Sequence, residues 1–150
     1  MLVVGLWIGQ PLLIGNTSHL PGFQISEPLL IQVSLIVGLV LTVGGYVATL
    51  WCYRIMGNAW RIGINRQEKN QLVTQGPYRW IRHPIYAFQA VMLAGGICLL
   101  PTICSVAILL IHLVCVLAKS RDEETYLLTV HGDTYRDYQS RTGRLLPRLW

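Results

Sequence analysis

Apolar and polar positions alternate in long blocks along this chain, not residue by residue. Residues 2–14 are apolar, with Gly9 and Pro11 inside. Residues 15–28 carry Gly15, Asn16, Ser18, Pro21, Gly22 and Pro28, a turn-rich loop. Leu29 to Tyr53 is the clearest span, a mostly apolar run without a charged residue. As a helix it covers roughly 37 Å, enough to cross a bilayer with some tilt. A polar, basic stretch follows over residues 54–84. Residues 85–118 are apolar again and too long for one ordinary span, with Pro101 near their centre. That pattern predicts a helical hairpin turning near Pro101. Residues 119–131 can continue the last helix, Gly132-Asp133 breaks it, and Asp133 can cap a short helix carrying Tyr135, Tyr138 and Arg141. Leu145-Leu146-Pro147 is expected to end that helix.

The expected fold class is therefore all-α: a polytopic integral membrane protein of about four transmembrane helices, the first a thin span or embedded segment over residues 2–14. Residues 1–150 read as one domain, with N-terminal spans over 1–53 and a core over 54–150. Gly38, Gly44, Gly45 and Ala48 give the clearest span small residues for close helix packing. Trp51, Tyr53 and Arg54 form an interfacial anchor at its end.

Charge orients this arrangement. All twelve basic residues lie from Arg54 onward, six up to Arg82 and six from Lys119 to Arg148. Bases crowding the ends of spans mark the cytoplasmic side, so both termini and both basic segments are expected there. The N-terminus lacks a basic leader and reads as a retained anchor, and the C-terminus carries no lipidation box. No basic stripe with interleaved aromatics points to nucleic acid. Cys52, Cys98, Cys104 and Cys115 lie in or beside apolar stretches without a C-x-x-C pair, so they read as buried small hydrophobes, not as a disulfide framework or zinc site.

Chemistry concentrates at two polar boundaries. Gly76-Pro77-Tyr78-Arg79 leads into Arg82-His83-Pro84-x-Tyr86 just where hydrocarbon begins. Charge at that boundary is costly unless used or solvated. Each residue also has a plain structural use. Pro84 can open a helix, Arg82 can snorkel, and Tyr78, Trp80 and Tyr86 can form an aromatic belt. The second boundary carries Glu123-Glu124, which taken alone reads as a solvated turn pairing with Lys119 and Arg121. His112 lies inside the last apolar arm, either a functional group or a packed histidine bonded to a carbonyl.

Taken together, Gly76-Pro77-Tyr78-Arg79-Trp80-Ile81-Arg82-His83-Pro84-Ile85-Tyr86 resembles the signature of the isoprenylcysteine carboxyl methyltransferase family and related phospholipid methyltransferases. Glu123-Glu124-x-x-Leu127, Gly132-x-x-Tyr135-x-x-Tyr138 and Arg144-x-x-Pro147 resemble its second signature. Gly57-x-x-Trp60-Arg61 and Leu72-Val73-Thr74 suit it too, so the likeness covers about residues 57–150. It implies an integral membrane enzyme of the cell inner membrane or endoplasmic reticulum. Such an enzyme transfers a methyl group from S-adenosylmethionine to a lipophilic or lipidated acceptor, such as a prenylcysteine carboxylate or a lipid headgroup. Its cofactor pocket faces the cytoplasm, between the His-Pro turn and the C-terminal segment.

Carried onto this chain, the resemblance implies Arg82, His83 and Glu124 as catalytic residues. It implies Tyr78, Arg79, His83, Pro84, Tyr86, Glu123, Glu124, Tyr135 and Tyr138 as cofactor-binding residues, and no metal. Glu123 or Glu124 suits ribose hydroxyls or the cofactor's amino group, and Arg82 or Arg79 its carboxylate. Tyr135 and Tyr138 suit adenine or a sulfonium. An acceptor carboxylate needs no base, whereas a protonated amine makes His83 or a carboxylate the candidate. Two positions depart from the family pattern: Phe88 stands where it often has Gly, and His131 where an aromatic precedes the second-motif Gly. The competing readings are an NADPH-dependent sterol-type reductase, which also carries Arg-His-Pro-x-Tyr, and a non-enzymatic membrane protein.

Overall fold

The computed structural model describes residues 27–57 and 72–148. The expected first apolar segment and most of the loop after it lie outside the described residues, as do Trp60 and Arg61. Four α-helices are described: α1 (Pro28–Met56), α2 (Pro84–Leu99), α3 (Ile103–His131) and α4 (Asp133–Arg141), with a 3-10 turn at Gly76–Arg79. Extended pairing among the described residues is confined to single-residue bridges, so the described fold is all-helical.

Two of these helices, α1 and α3, are long and apolar enough to cross a membrane, and α2 is a shorter apolar helix. α1 runs three residues beyond the expected apolar limit, carrying Arg54 in its last turn, where a cation meets the negative end of the helix dipole. α1 turns Leu29, Ile36, Leu39, Val40 and Val47 outward, each more than half exposed. Lipid can cover such a surface, whereas water would penalise it.

The chain forms two compact units. The first contains residues 28–46 of α1 with residues 89–115. Here α1 meets α2 at two glycines. A Cβ on Gly95 would lie 2.6 Å from Thr42 Oγ1 and 2.8 Å from the Gly38 carbonyl, and one on Gly38 would lie 2.9 Å from the Gly95 carbonyl. Backbones can approach this closely only where side chains are absent, the usual device where lipid removes any hydrophobic drive to associate. Ser34 adds a hydroxyl bond to the Cys98 carbonyl at 2.8 Å.

The break at Pro101 falls where the apolar pattern placed it. Leu100 N–H closes α2 on Gly96, and Thr102 then caps α3, its Oγ1 accepting from Ser105 N–H at 3.1 Å. Ser105 Oγ donates back to the Leu100 carbonyl at 2.6 Å. The exposed backbone groups at this break thus find partners within a few residues. His112, also in this unit, is buried and engaged.

The second unit contains residues 47–57, 72–88 and 116–148. Its core is polar and aromatic: Cys52, Tyr78, His83, Pro84, Ser120, Glu124, Tyr135, Tyr138 and Thr142 are all buried. α3 runs on through the polar residues to His131, as expected, and Gly132 (φ 52) turns the chain into α4. Two details differ from the sequence expectation. Asp133 is the first residue of α4, not its cap, and its carboxylate takes Arg136 instead. α4 ends at Arg141, before Leu145-Leu146-Pro147, because Thr142 turns its hydroxyl onto the Tyr138 carbonyl at 2.6 Å and Gly143 leaves for another partner.

Candidate active site at the His-Pro turn

Local sequence shapes the turn first. Pro77 fixes φ at the start of the 3-10 segment, and the N–H groups of Trp80 and Ile81 both close on its carbonyl. Proline at 84 forces His83 out of helical geometry while itself opening α2. His83 is therefore the residue that caps α2, its carbonyl accepting from Ala87 N–H at 3.2 Å.

The C-terminal segment then lies against this turn like a short strand. Ile81 and Gly143 form a parallel bridge. Gly143 N–H donates to Trp80, Arg82 N–H to Gly143 at 2.8 Å and His83 N–H to Arg144 at 3.0 Å. Tyr138 adds its hydroxyl to the Tyr78 carbonyl at 2.6 Å. A Cβ at 143 would fall 1.7 Å from the Leu146 carbonyl oxygen, so the segment requires glycine there.

These backbone contacts bring the two sequence motifs onto one buried carboxylate. Glu124 is 4% exposed. Its Oε1 accepts from Arg82 Nε at 2.8 Å and Arg144 Nε at 3.1 Å, and its Oε2 from Arg144 Nη2 at 2.7 Å and Gln139 Nε2 at 3.4 Å. Arg82 also donates from Nη1 to the carbonyls of Gln139 and Thr142. Glu124 is thus a junction for the turn, α3, α4 and the C-terminal segment. This replaces the expectation of a solvated turn: the residue is enclosed, and Arg121 is not its partner. A buried carboxylate is sustained only by such close pairing.

Glu123 differs although it is the next residue. Its side chain is 26% exposed. Oε1 accepts from Tyr86 Oη at 2.8 Å and lies 3.9 Å from Lys119 Nζ, as expected for an i,i+4 pair. Lys119 also sits 5.7 Å from the Tyr86 ring centroid.

His83 lies between the two acids. Its Nδ1 is 3.4 Å from Glu123 Oε2 and its Nε2 is 3.3 Å from Glu124 Oε1. The Nε2 contact is an ion-pair distance and not an aligned hydrogen bond, since this buried nitrogen has no hydrogen-bond partner among the described residues. The imidazole stacks on Tyr86 with 13° between ring planes.

Burial acts against every charge here, and the partners outweigh it. For His83, burial disfavours the cation, but the adjacent carboxylates of Glu123 and Glu124 raise its pKa above the ordinary value. Burial pushes Glu123 up, but His83 and Tyr86 hold it below the carboxylate range. Glu124 is likewise pushed up by burial and then held well below that range by His83, Arg144 and Arg82. Burial pushes the Tyr138 phenol up to about 12.

The structure therefore brings Arg82, His83, Tyr86, Glu123 and Glu124 together, with Pro84 buried behind them. Tyr78 and Tyr135 are buried, and their hydroxyls have no hydrogen-bond partner among the described residues. Tyr135 and Tyr138 meet at a 55° tilt. Arg79 is exposed and outside this network. Sequence reasoning did not assign site roles to Arg144, Gln139 and Thr142. Arg144 had a signal, since it opens the Arg144-x-x-Pro147 motif. Gln139 and Thr142 act through one weak bond and a backbone carbonyl, which no motif marks. Among the described residues, no group of three His, Cys, Asp or Glu side chains is arranged to hold a metal ion.

Residues 33–134 match the phospholipid methyltransferase family. The chain is 30% identical over 115 residues to the nickel-cobalt-cadmium resistance protein NccN of Alcaligenes xylosoxydans xylosoxydans, covering 77% of this chain and 50% of that protein. It is 28% identical over 148 residues to the cobalt-zinc-cadmium resistance protein CzcN of Cupriavidus metallidurans, covering 98% and 62%. The chain thus spans about half to three fifths of the length of these relatives. Its fold is similar to the solved structure of the eukaryotic intramembrane Ras methyltransferase ICMT (isoprenylcysteine carboxyl methyltransferase). That match has a TM-score of 0.73 at 24% identity and covers 96% of this chain and 50% of that one. With two-thirds of its length matched and both signature segments joined at Glu124, the chain belongs to the phospholipid methyltransferase family.

Proposed function

We propose that this protein is an S-adenosylmethionine-dependent methyltransferase acting on a lipophilic acceptor at the membrane interface. The observation that carries the reading is the meeting of two separated signature segments, Arg82-His83-Pro84-x-Tyr86 and Glu123-Glu124, at hydrogen-bond and ion-pair distance. The proposal includes about four transmembrane helices in a cell inner or endoplasmic-reticulum membrane, an active site facing the cytoplasm, and residues 1–53 as N-terminal spans with 54–150 as the catalytic core of one domain. The basic residues from Arg54 onward support that orientation.

The residues suit the cofactor's chemistry. Buried phenol hydroxyls at Tyr78 and Tyr135 lack a protein partner among the described residues, and a ligand's polar groups satisfy such atoms. Glu123 is ionised and partly open, fit to accept from hydroxyl or ammonium donors. Bound there, S-adenosylmethionine supplies an electrophilic methyl carbon on a sulfonium. The chain's own part is to bind, align and dry the site.

Within that reading the two acids divide their work. Glu124 has its oxygens filled by Arg82, Arg144 and Gln139, so with Arg82 it positions the pocket wall. Glu123 and Tyr86 face the ligand, with His83 and Pro84 as the turn behind them. Tyr138 braces Tyr78, and exposed Arg79 is left for the cofactor carboxylate or lipid phosphates. Methyl transfer needs the acceptor held in line with the departing sulfur, so catalysis here is chiefly placement.

Calorimetric titration of the purified protein in detergent tests the cofactor, with binding of S-adenosylmethionine and not NADPH expected. Incubation with methyl-labelled S-adenosylmethionine and a total lipid extract then identifies the acceptor by product mass. Binding of NADPH alone, or no label transferred to any lipophilic product, would overturn the proposal.

A further inference from the structure

A neutral imidazole carries one N–H and one lone pair. At His83 both ring nitrogens are set against carboxylate oxygens, 3.4 Å and 3.3 Å away. Either neutral tautomer would aim a lone pair at an ionised acid inside a buried site. Only the imidazolium puts positive charge and an N–H on the side of each acid, at Nε2 as an ion-pair contact without an aligned hydrogen bond. We infer that His83 acts as a charged clamp between Glu123 and Glu124, a positioning residue that works with its proton on instead of accepting one from the substrate.

From α3 come Glu123, Glu124 and Lys119. From α2 comes Tyr86, stacked on the ring and bonded to Glu123. From the turn and the C-terminal segment come Arg82 and Arg144, and from α4 Tyr135, whose burial keeps it neutral. The two guanidiniums and Lys119 oppose a further positive charge. They are themselves spent on the same carboxylates, at 2.7–3.9 Å. The ring's own neighbours are the two acids, and these decide its state.

The clamp has a consequence for chemistry. Glu124 keeps its arginine partners when His83 loses its proton, but Glu123 is held mainly by His83 and Tyr86. When the proton leaves His83, Glu123 is the acid released, and it is the one left open. The charge on one imidazole therefore governs the carboxylate available to a ligand. It also removes His83 as the group that would deprotonate an amine acceptor.

Nitrogen-15 spectra of histidine-labelled protein in micelles test this directly, with His83 assigned by its absence in His83→Gln. Both ring nitrogens are expected to carry protons below pH 6.5, with a titration midpoint above that value. A midpoint at or below 6.5 would overturn the clamp. Glu123→Gln and Glu124→Gln should each pull the midpoint down. Glu123→Gln, the partly exposed partner, keeps the test sound if the buried variant does not fold, and an unmoved midpoint in it counts against the clamp.

A second measurement rests on the methyltransferase reading. S-adenosylmethionine affinity should fall several-fold as pH rises through the His83 midpoint, and should be weak and flat with pH in His83→Gln. Affinity flat with pH in the wild type would overturn the positioning role. A doubly protonated ring in a protein that binds no S-adenosylmethionine would leave the clamp standing and remove the function proposed above.

Discussion

The two compact units of this chain are held together by opposite means. In the first, residues 28–46 and 89–115, backbone meets backbone at Gly38 and Gly95, with one hydroxyl bond from Ser34 beside them. In the second, residues 47–57, 72–88 and 116–148, three arginine and histidine side chains converge on one acid, and a strand-like C-terminal segment bonds the His-Pro turn. Surrounding chemistry explains the contrast. In lipid the hydrophobic effect gives helices no reason to associate, so close packing does the work. Beyond the hydrocarbon, charged groups can be solvated or paired, and a site can be built from them. The helix contact at Gly38 and Gly95 has no room for a side chain, and the cluster around Glu124 depends on its arginine partners.

The most severe test of the second unit is Glu124→Ala. It leaves the largely buried Arg82 and the partly exposed Arg144 without their acid, at a cost of up to about 3–5 kcal/mol. A large fall in thermal midpoint should follow in detergent, followed by intrinsic fluorescence, with Glu124→Gln milder. In the first unit the matching test adds volume. Gly95→Val must displace Thr42 and the Gly38 carbonyl, at about 1–3 kcal/mol. Its signature is a lowered midpoint while the His83 nitrogen resonances stay in place.

Gly143→Ala sits between these two kinds of damage, since it adds one carbon but breaks the polar strap. The new Cβ meets the Leu146 carbonyl, so the Trp80, Arg82 and His83 backbone bonds should loosen. Faster amide hydrogen exchange at Arg82 and His83 would report it.

Changing pH separates the units without mutation, because the charged cluster belongs to the second. His83 is raised from its ordinary 6.5, so its contribution is complete below that value and is lost as pH rises through its folded pKa. Glu123 and Glu124 are lowered from 4.5, so theirs is complete above that value and is lost as pH falls through their folded pKa values. Stability measured by thermal midpoint should be greatest between 4.5 and 6.5. The smallest effect belongs to the solvent face of α4. Arg136→Ala removes a pair with Asp133 in which both side chains are largely exposed, and the midpoint should hardly move, in keeping with at most about 1 kcal/mol for such pairs.

Much was legible in the sequence because it is local. The apolar run from Leu29, the break at Pro101, the helix opened by Pro84 and the turn after His131 all follow from a few neighbouring residues. The two motifs also announced a shared site. The end of α4 was misplaced because Thr142 and Gly143 answer to Tyr138 and to the distant Trp80–His83 backbone, not to the proline beyond them. Adjacent glutamates looked alike in sequence, yet a helix turns successive side chains about 100° apart. One faces two arginines 42 residues before and 20 residues after it, and the other faces a tyrosine 37 residues away. By itself the sequence determined which segments are helices and which residue types stand at the hydrocarbon boundary, since these depend on neighbours along the chain. Which acid is locked, which is open and why the histidine between them holds its charge were decided only when distant segments closed on one another. Burial and partner number are properties of that closure and of nothing shorter.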